Sequence, residues 1–192
     1  MGERVIVAGV GMIPFTKPGA SDPYHLMGEK AARAALEDAG LDYQKVQQAY
    51  VGYVYGDSTA GQAALYGVGL SGVPIFNVNN YCSTGSSALF LARQAVQSGS
   101  VDCALALGFE QMTPGALGII FEDRPNPLMR FYEEMESLQG FDESSPWAAQ
   151  FLAVLGLSIL RNMEHQQILW QKLRLRRASM LQKTHLLFST KK

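Results

Sequence analysis

The chain has 192 residues, of which 47% are hydrophobic, 10% aromatic and 17% charged, and its formal net charge is -1. That is enough apolar material for one substantial core, and the near-neutral balance excludes recognition of nucleic acid or an anionic membrane by bulk charge. No apolar run approaches the roughly 20 residues that span a bilayer, so a membrane partner is not expected.

Glu3-Arg4 runs directly into Val5-Ile6-Val7-Ala8-Gly9, a β-branched stretch closed by glycine that reads as a buried strand rather than a secretory signal. Gly9-Val10-Gly11 hints at a dinucleotide loop, but Pro14 stands where the third glycine belongs, so no such cofactor is expected. Ser21-Asp22-Pro23 reads as a helix start with Asp22 as cap and Pro23 in the first turn. Leu26, Met27, Ala31, Ala35, Leu36 and Ala39 then recur at helical spacing up to a stop at Gly40. Val46 to Val54 reads as a second strand, 56–62 as a loop, and Ala63 to Leu70 as a helix rich in small residues.

The segment from Pro74 to Val96 carries the chemistry. A strand ending near Val78 turns sharply and opens a helix whose apolar face is Ala88, Leu91, Ala92, Ala95 and Val96. Cys82 sits at that turn, where unpaired N–H groups and the positive end of the helix dipole converge and favour a thiolate. Ser83, Gly85 and Ser86 leave room for a substrate, which is the strand–turn–nucleophile–helix logic of covalent acyl transfer. A lone cysteine is also commonly a small buried hydrophobe, and that reading stands beside the nucleophilic one. Cys103, inside the apolar run Val101 to Gly108, reads as core. Two cysteines cannot build a disulfide framework or a four-ligand zinc site, so a reducing compartment and no metal are expected. After Gly108-Phe109-Glu110-Gln111-Met112 comes a charged, proline-punctuated excursion from Phe121 to Trp147. Its Glu133, Glu134 and Glu136 read as a solvated helix face, and His25 as a helical residue without a chemical role.

Three stretches together resemble the thiolases: Asn79-Asn80-Tyr81-Cys82-Ser83-Thr84-Gly85-Ser86-Ser87-Ala88-Leu89-Phe90, Val51 to Thr59, and Ala106 to Met112. The nearest subgroup is the sterol carrier protein x type, and the resemblance runs through about residues 3–152. It implies an α/β fold, the N-terminal half of the thiolase architecture, a mixed sheet covered by helices. It implies an acyltransferase of lipid metabolism that cleaves 3-oxoacyl-CoA thiolytically, with Cys82 matching the acyl-accepting nucleophile. Acyl-CoA and CoA are the implied partners, with CoA as a substrate rather than a cofactor, and the intact protein is expected to be a homodimer. The family's second half, with its catalytic His and second Cys, has no counterpart here. The only histidines after Cys82 are His165 and His185, neither in a family-like motif, so this chain is expected to be inactive alone. The lipid-binding sterol carrier module is likewise missing. Location is expected to be peroxisomal in a eukaryote and cytoplasmic otherwise, although Ser189-Thr190-Lys191-Lys192 is not a peroxisomal signal. A non-catalytic lipid-handling or interaction fragment and a condensing enzyme of ketoacyl synthase type remain the alternatives.

A break in composition sets the expected domain boundary. Residues 1–150 hold 8 Lys+Arg against 16 Asp+Glu, whereas 151–192 hold 8 Lys+Arg against Glu164 alone. All eight Tyr and eighteen of the nineteen Gly precede the break. One reading of Ile159 to Phe188 is a basic amphipathic helix. The preferred one is a non-family tail translated out of frame. A frame shifted by two bases must spell Ala across Trp170-Gln171 and Gly across Met163-Glu164, and such a rereading resembles the family's next helix. The expected units are therefore 1–150, a truncated thiolase N-terminal domain, and 151–192, an out-of-frame tail.

Overall fold

A computed structural model describes residues 4–114, 121–142, 145, 147–162 and 186–190. Two compact units appear, one of residues 1–113 with 178–192, the other of residues 114–177. The composition break at residue 150 falls inside a helix of the second unit.

The first unit is built on one five-stranded sheet. Its strands are β1 (Val5–Val10), β2 (Gln48–Gly52), β3 (Ile75–Val78), β4 (Cys103–Gly108) and β5 (Leu186–Thr190), in the order β1-β5-β4-β2-β3. β2 pairs in parallel with both β3 and β4, while β5 runs antiparallel to β1 and β4. Helices α1 (Tyr24–Ala39), α2 (Ala60–Val68) and α3 (Thr84–Gln97) supply the covering layers. The period-2 alternation of β4 sorts its side chains between two cores. Cys103, Leu105 and Leu107 pack with Ala31, Ala35, Leu36, Ala64 and Leu65 of α1 and α2. Ala104 and Ala106 pack with Ala92, Ala95 and Val96 of α3. All of β4 from Cys103 to Leu107 is buried, as expected of a strand covered on both faces.

The Gly9-Val10-Gly11 pair has a packing role. A Cβ at Gly9 would stand 2.5 Å from the Ala35 carbonyl oxygen and 2.6 Å from the Ala39 nitrogen, and one at Gly11 would press on the backbone of Ala31 and Ala35. The two glycines let β1 and α1 approach backbone to backbone. Asp22 does not cap α1: the helix begins one residue later than expected, with Pro23 in the cap position and no side-chain cap. Asp22 instead pairs with Lys30 at 2.6 Å, and the Tyr24 N–H donates to Gln111 Oε1 at 2.9 Å. Gly40 closes the helix in the left-handed region, φ 62°, as its position indicated.

β2 is shorter than the expected 46–54, because Tyr43–Lys45 forms a 3₁₀ turn capped by Asp42 and the chain leaves the ladder after Gly52. α2 begins at Ala60, three residues before the expected start. A distant side chain supplies its cap, since the Gly61 N–H donates to Asn77 Oδ1 at 2.9 Å.

The second unit contains α4 (Met129–Gln139) and α5 (Trp147–Asn162). Tyr132 and Met135 are buried, while Glu133, Glu134 and Glu136 line the solvated face. Tyr132 meets Trp147 at 5.1 Å between ring centroids, and Phe141 stacks on Trp147 at 3.9 Å. Most of the amphipathic-helix reading, together with His165, Trp170 and His185, lies outside the described residues. Where it reaches them, residues 159–162 are helical as the last turn of α5, whereas 186–188 belong to a strand aligned between two strands that each offer an open ladder edge.

Candidate active site

Cys82 is exposed and lies two residues before α3, on the turn that links β3 to that helix. Short polar side chains hold the turn. Asn80 N–H donates to Thr84 Oγ1 at 2.8 Å, and the Thr84 hydroxyl in turn donates to the Tyr81 carbonyl. That carbonyl also accepts the Thr84 N–H at 3.0 Å, and the Asn80 carbonyl accepts both the Ser83 N–H and the Ser83 hydroxyl. Asn80 Nδ2 reaches forward to Ser87 Oγ at 2.9 Å, across the first turn of α3. These bonds keep Tyr81 in the left-handed region, φ 52°, a conformation costing roughly 1–2 kcal/mol for a residue with a Cβ. A strained residue next to the thiol turns the chain sharply and lifts Cys82 to the surface.

The turn rests on the carboxyl ends of the parallel strands. Thr84 is 4% exposed, and a Cβ on Gly52 would fall 2.7 Å from its Cγ2 and 2.8 Å from its carbonyl oxygen. Gly52, the last residue of β2, therefore admits the first turn of α3 where any side chain would expel it. Gly108 ends β4 alongside: its Cβ position would lie 3.7 Å from the Gly52 oxygen and 3.8 Å from the Gly85 Cα. Clefts at strand carboxyl ends are where open α/β sheets bind ligands. At the start of α3, the N–H groups of Gly85 and Ser86 have no acceptor among the described residues.

Glu110 and Gln111 have roles that local sequence patterns do not show. Glu110 accepts the Val54 N–H at 2.9 Å and the Tyr55 N–H at 2.8 Å, one on each carboxylate oxygen, clamping the loop after β2. Phe109 stacks between Tyr24 at 5.4 Å and Tyr53 at 5.2 Å. The segment Gly108 to Met112 thus ties the β1–α1 and β2–α2 connections to the end of β4. The only available sequence signal was its place in the family resemblance. Beside it lies a cleft of about 200 Å³ lined by residues that include Met12, Phe15, Lys17, Met27, Phe109 and Met112. Gly108 lines this cleft and also abuts Gly85, so it connects the cleft to the start of α3. Cys82 itself does not line the cleft.

Cys103, the second thiol, is 6% exposed, and burial raises its pKa above the ordinary 9.0, with the Asp102 charge adding to the shift. It is a core residue, as the apolar run indicated. Among the described residues no helix is long and apolar enough to cross a membrane, and no group of three His, Cys, Asp or Glu is placed to hold a metal.

Residues 5–119, more than half of the chain, match the family described as Thiolase, N-terminal domain. The chain belongs to the thiolase family. Sterol carrier protein 2 of Gallus gallus is 51% identical over 158 residues, covering 81% of this chain and 29% of its own length. Sterol carrier protein 2 of Bos taurus is 50% identical over 156 residues, covering 80% and 28%. The thiolase chain thus spans less than a third of these curated relatives. The acetyl-CoA acetyltransferase of Bacillus anthracis matches with a TM-score of 0.56 at 16% identity, over 73% of this chain and 43% of that one, which shows the shared fold.

Proposed function

We infer that this chain carries the acyl-accepting site of a thiolase-type acyltransferase acting on 3-oxoacyl-CoA of lipid origin, with Cys82 as nucleophile. The observation that carries the reading is the seat of Cys82: an exposed thiol before the first turn of α3, raised by Tyr81 at positive φ over the glycine ends of β2 and β4. In this chemistry the Cys82 thiolate attacks the 3-oxo carbonyl carbon. The oxyanion that forms is stabilised by N–H groups at the start of α3, those of Gly85 and Ser86 being the candidates. Such a donor is worth on the order of 3 kcal/mol in other enzymes. Collapse of the adduct breaks the C2–C3 bond and leaves an acyl–Cys82 thioester, while the departing acyl-CoA carbanion takes up a proton. Free CoA thiolate then attacks the thioester and regenerates Cys82. CoA enters as substrate, and no resident cofactor is invoked. The names of the curated relatives support a lipid substrate, and the family match supports acyl transfer.

The test is stoichiometric acylation. The chain is incubated with a 3-oxoacyl-CoA and with a saturated acyl-CoA, then read by intact mass and peptide mapping. One acyl group on the peptide bearing Cys82, released by hydroxylamine and absent in Cys82→Ser, is the expected result. Acylation of Cys103 at a comparable rate, or adducts that persist in Cys82→Ser, would remove Cys82 from the reaction.

A further inference from the structure

The cleft beside Phe109 has two walls of different origin. One is the stretch from Met12 to Pro18, between β1 and α1. It is tied down at both ends: Gly11 lies against the backbone of α1, and the Gly19 N–H donates to the Met112 carbonyl at 3.0 Å. The other wall is Met27 of α1 with the segment after β4, where Phe109 is fixed between the rings of Tyr24 and Tyr53. The Glu110 carboxylate in the lining has both oxygens occupied by the Val54 and Tyr55 N–H groups. Met12, Met27 and Met112 are unbranched and repack readily around a flexible apolar chain. Gly108 joins this cleft to the nucleophile turn. Its Cβ position lies 3.8 Å from the Gly85 Cα, and a Cβ on Gly85 would meet nothing within 4 Å among the described residues. Gly85 stands three residues after Cys82, so neither of these positions puts a side chain between the thiol and the cleft.

From this continuity we propose that the cleft is an acyl-chain site. It holds the apolar tail of the thioester whose carbonyl Cys82 attacks, with the chain laid over Gly85 and Gly108. The assignment rests on Cys82 as the acyl acceptor and adds where the rest of the substrate lies. An apolar cavity of about 150 Å³ takes the six carbons of benzene, so the cleft volume of about 200 Å³ matches roughly eight chain carbons. That volume is below the roughly 300–1,000 Å³ of pockets for drug-sized ligands, which favours a single chain over a fused-ring nucleus.

The test separates the chain site from the nucleophile. The full chain carrying Cys82→Ser is irradiated with dodecanoyl-CoA bearing a terminal diazirine, and the labelled peptides are mapped. Labels should fall on residues 12–18, Met27 or 108–112, and excess dodecanoyl-CoA should suppress them where equal butanoyl-CoA does not. With Cys82 intact, dodecanoyl-CoA should acylate it at least about tenfold faster than butanoyl-CoA, roughly the worth of two buried methylenes. Met12→Trp, at an exposed lining residue, fills the cleft and should abolish that preference, with a thermal melt to check that the fold is kept. Gly108→Ala, whose methyl fits at 3.7 Å from the Gly52 oxygen yet narrows the passage, should reduce it. No label, labels confined to other residues, equal acylation rates in the parent, or a preference that survives both substitutions would overturn the cleft assignment. Labels in the cleft with no acylation of Cys82 by either thioester would instead remove Cys82 as acceptor and leave the chain site standing.

Discussion

Removing the Thr84 hydroxyl tests how the nucleophile turn is held. In Thr84→Val the side-chain shape survives, but Asn80 N–H loses its acceptor at 2.8 Å and the Tyr81 carbonyl loses one of two donors. The Tyr81 carbonyl keeps the Thr84 N–H at 3.0 Å, so the Asn80 N–H is the one group left stranded. A stranded donor costs about 1–3 kcal/mol, and a lost neutral hydrogen bond about 0.5–1.5 kcal/mol. Because Asn80 is exposed, water recovers part of that, and about 2 kcal/mol is the expected net loss. At roughly 2–4 °C per kcal/mol for a chain of this size, the melting temperature should fall by about 6 °C. Thr84→Ser keeps the hydroxyl and gives up one methyl group against Gly52, so it should lose only about 0.8 kcal/mol. Thermal melts followed by far-UV circular dichroism give the stability. Iodoacetamide labelling of Cys82, read by peptide mass, reports whether the turn still presents the thiol in one conformation. If Thr84→Val melts with the parent chain, or if Thr84→Ser costs as much as Thr84→Val, the hydroxyl does not hold this turn.

Gly11→Ala places a methyl 2.5 Å from the Ala31 carbonyl oxygen and should cost about 3 kcal/mol by forcing β1 from α1; an unchanged urea midpoint would contradict the contact. Glu110→Gln retains one acceptor for the Val54 and Tyr55 N–H pair and turns an amide N–H₂ toward the other. The loss should be about 2 kcal/mol, with faster hydrogen exchange at those two amides and little change at Ala49 or Val51. Burial lifts the Cys103 pKa above 9.0, so the folded state holds the thiol proton more tightly than the unfolded chain does. The stability from this group is fully present below the ordinary thiol value and is lost as pH rises through the raised native one. Cys103→Ala should flatten that part of the alkaline decline in unfolding free energy, and an identical decline in parent and variant would exclude Cys103 as its source.

Several features of this protein were legible in residues close together in the chain. The β-branched run at Val5, the helical spacing up to Gly40, and the turn from β3 to α3 each follow from short-range sterics and periodicity and stand at the expected places, although β1 is half-exposed rather than buried, with Val7 47% exposed. Cys82 was a candidate for the same reason, since a helix start is defined by its immediate neighbours. The thiolase resemblance likewise rested on motifs whose order along the chain was visible without any fold.

What local pattern could not show was decided by groups that meet only when the chain is closed. Asn77 accepts an N–H at the start of a helix that begins before it in the sequence, Gln111 accepts the first N–H of α1, and Glu110 binds backbone from residues 54 and 55. A side chain's hydrogen-bond partner sixteen to eighty-seven positions away leaves no periodic trace. Gly9 and Gly11 hint at a cofactor loop and Gly52 is one residue of a strand in one dimension, whereas the folded chain shows all three as points where two backbones touch. The place of Leu186–Thr190 is the clearest case. Leu186 to Phe188 could be read as the end of a helix, and the open ladder edges of β1 and β4 make them part of a strand. Backbone donors and acceptors left unpaired by a parallel sheet are a tertiary demand, and no property of residues 186–190 alone expresses it.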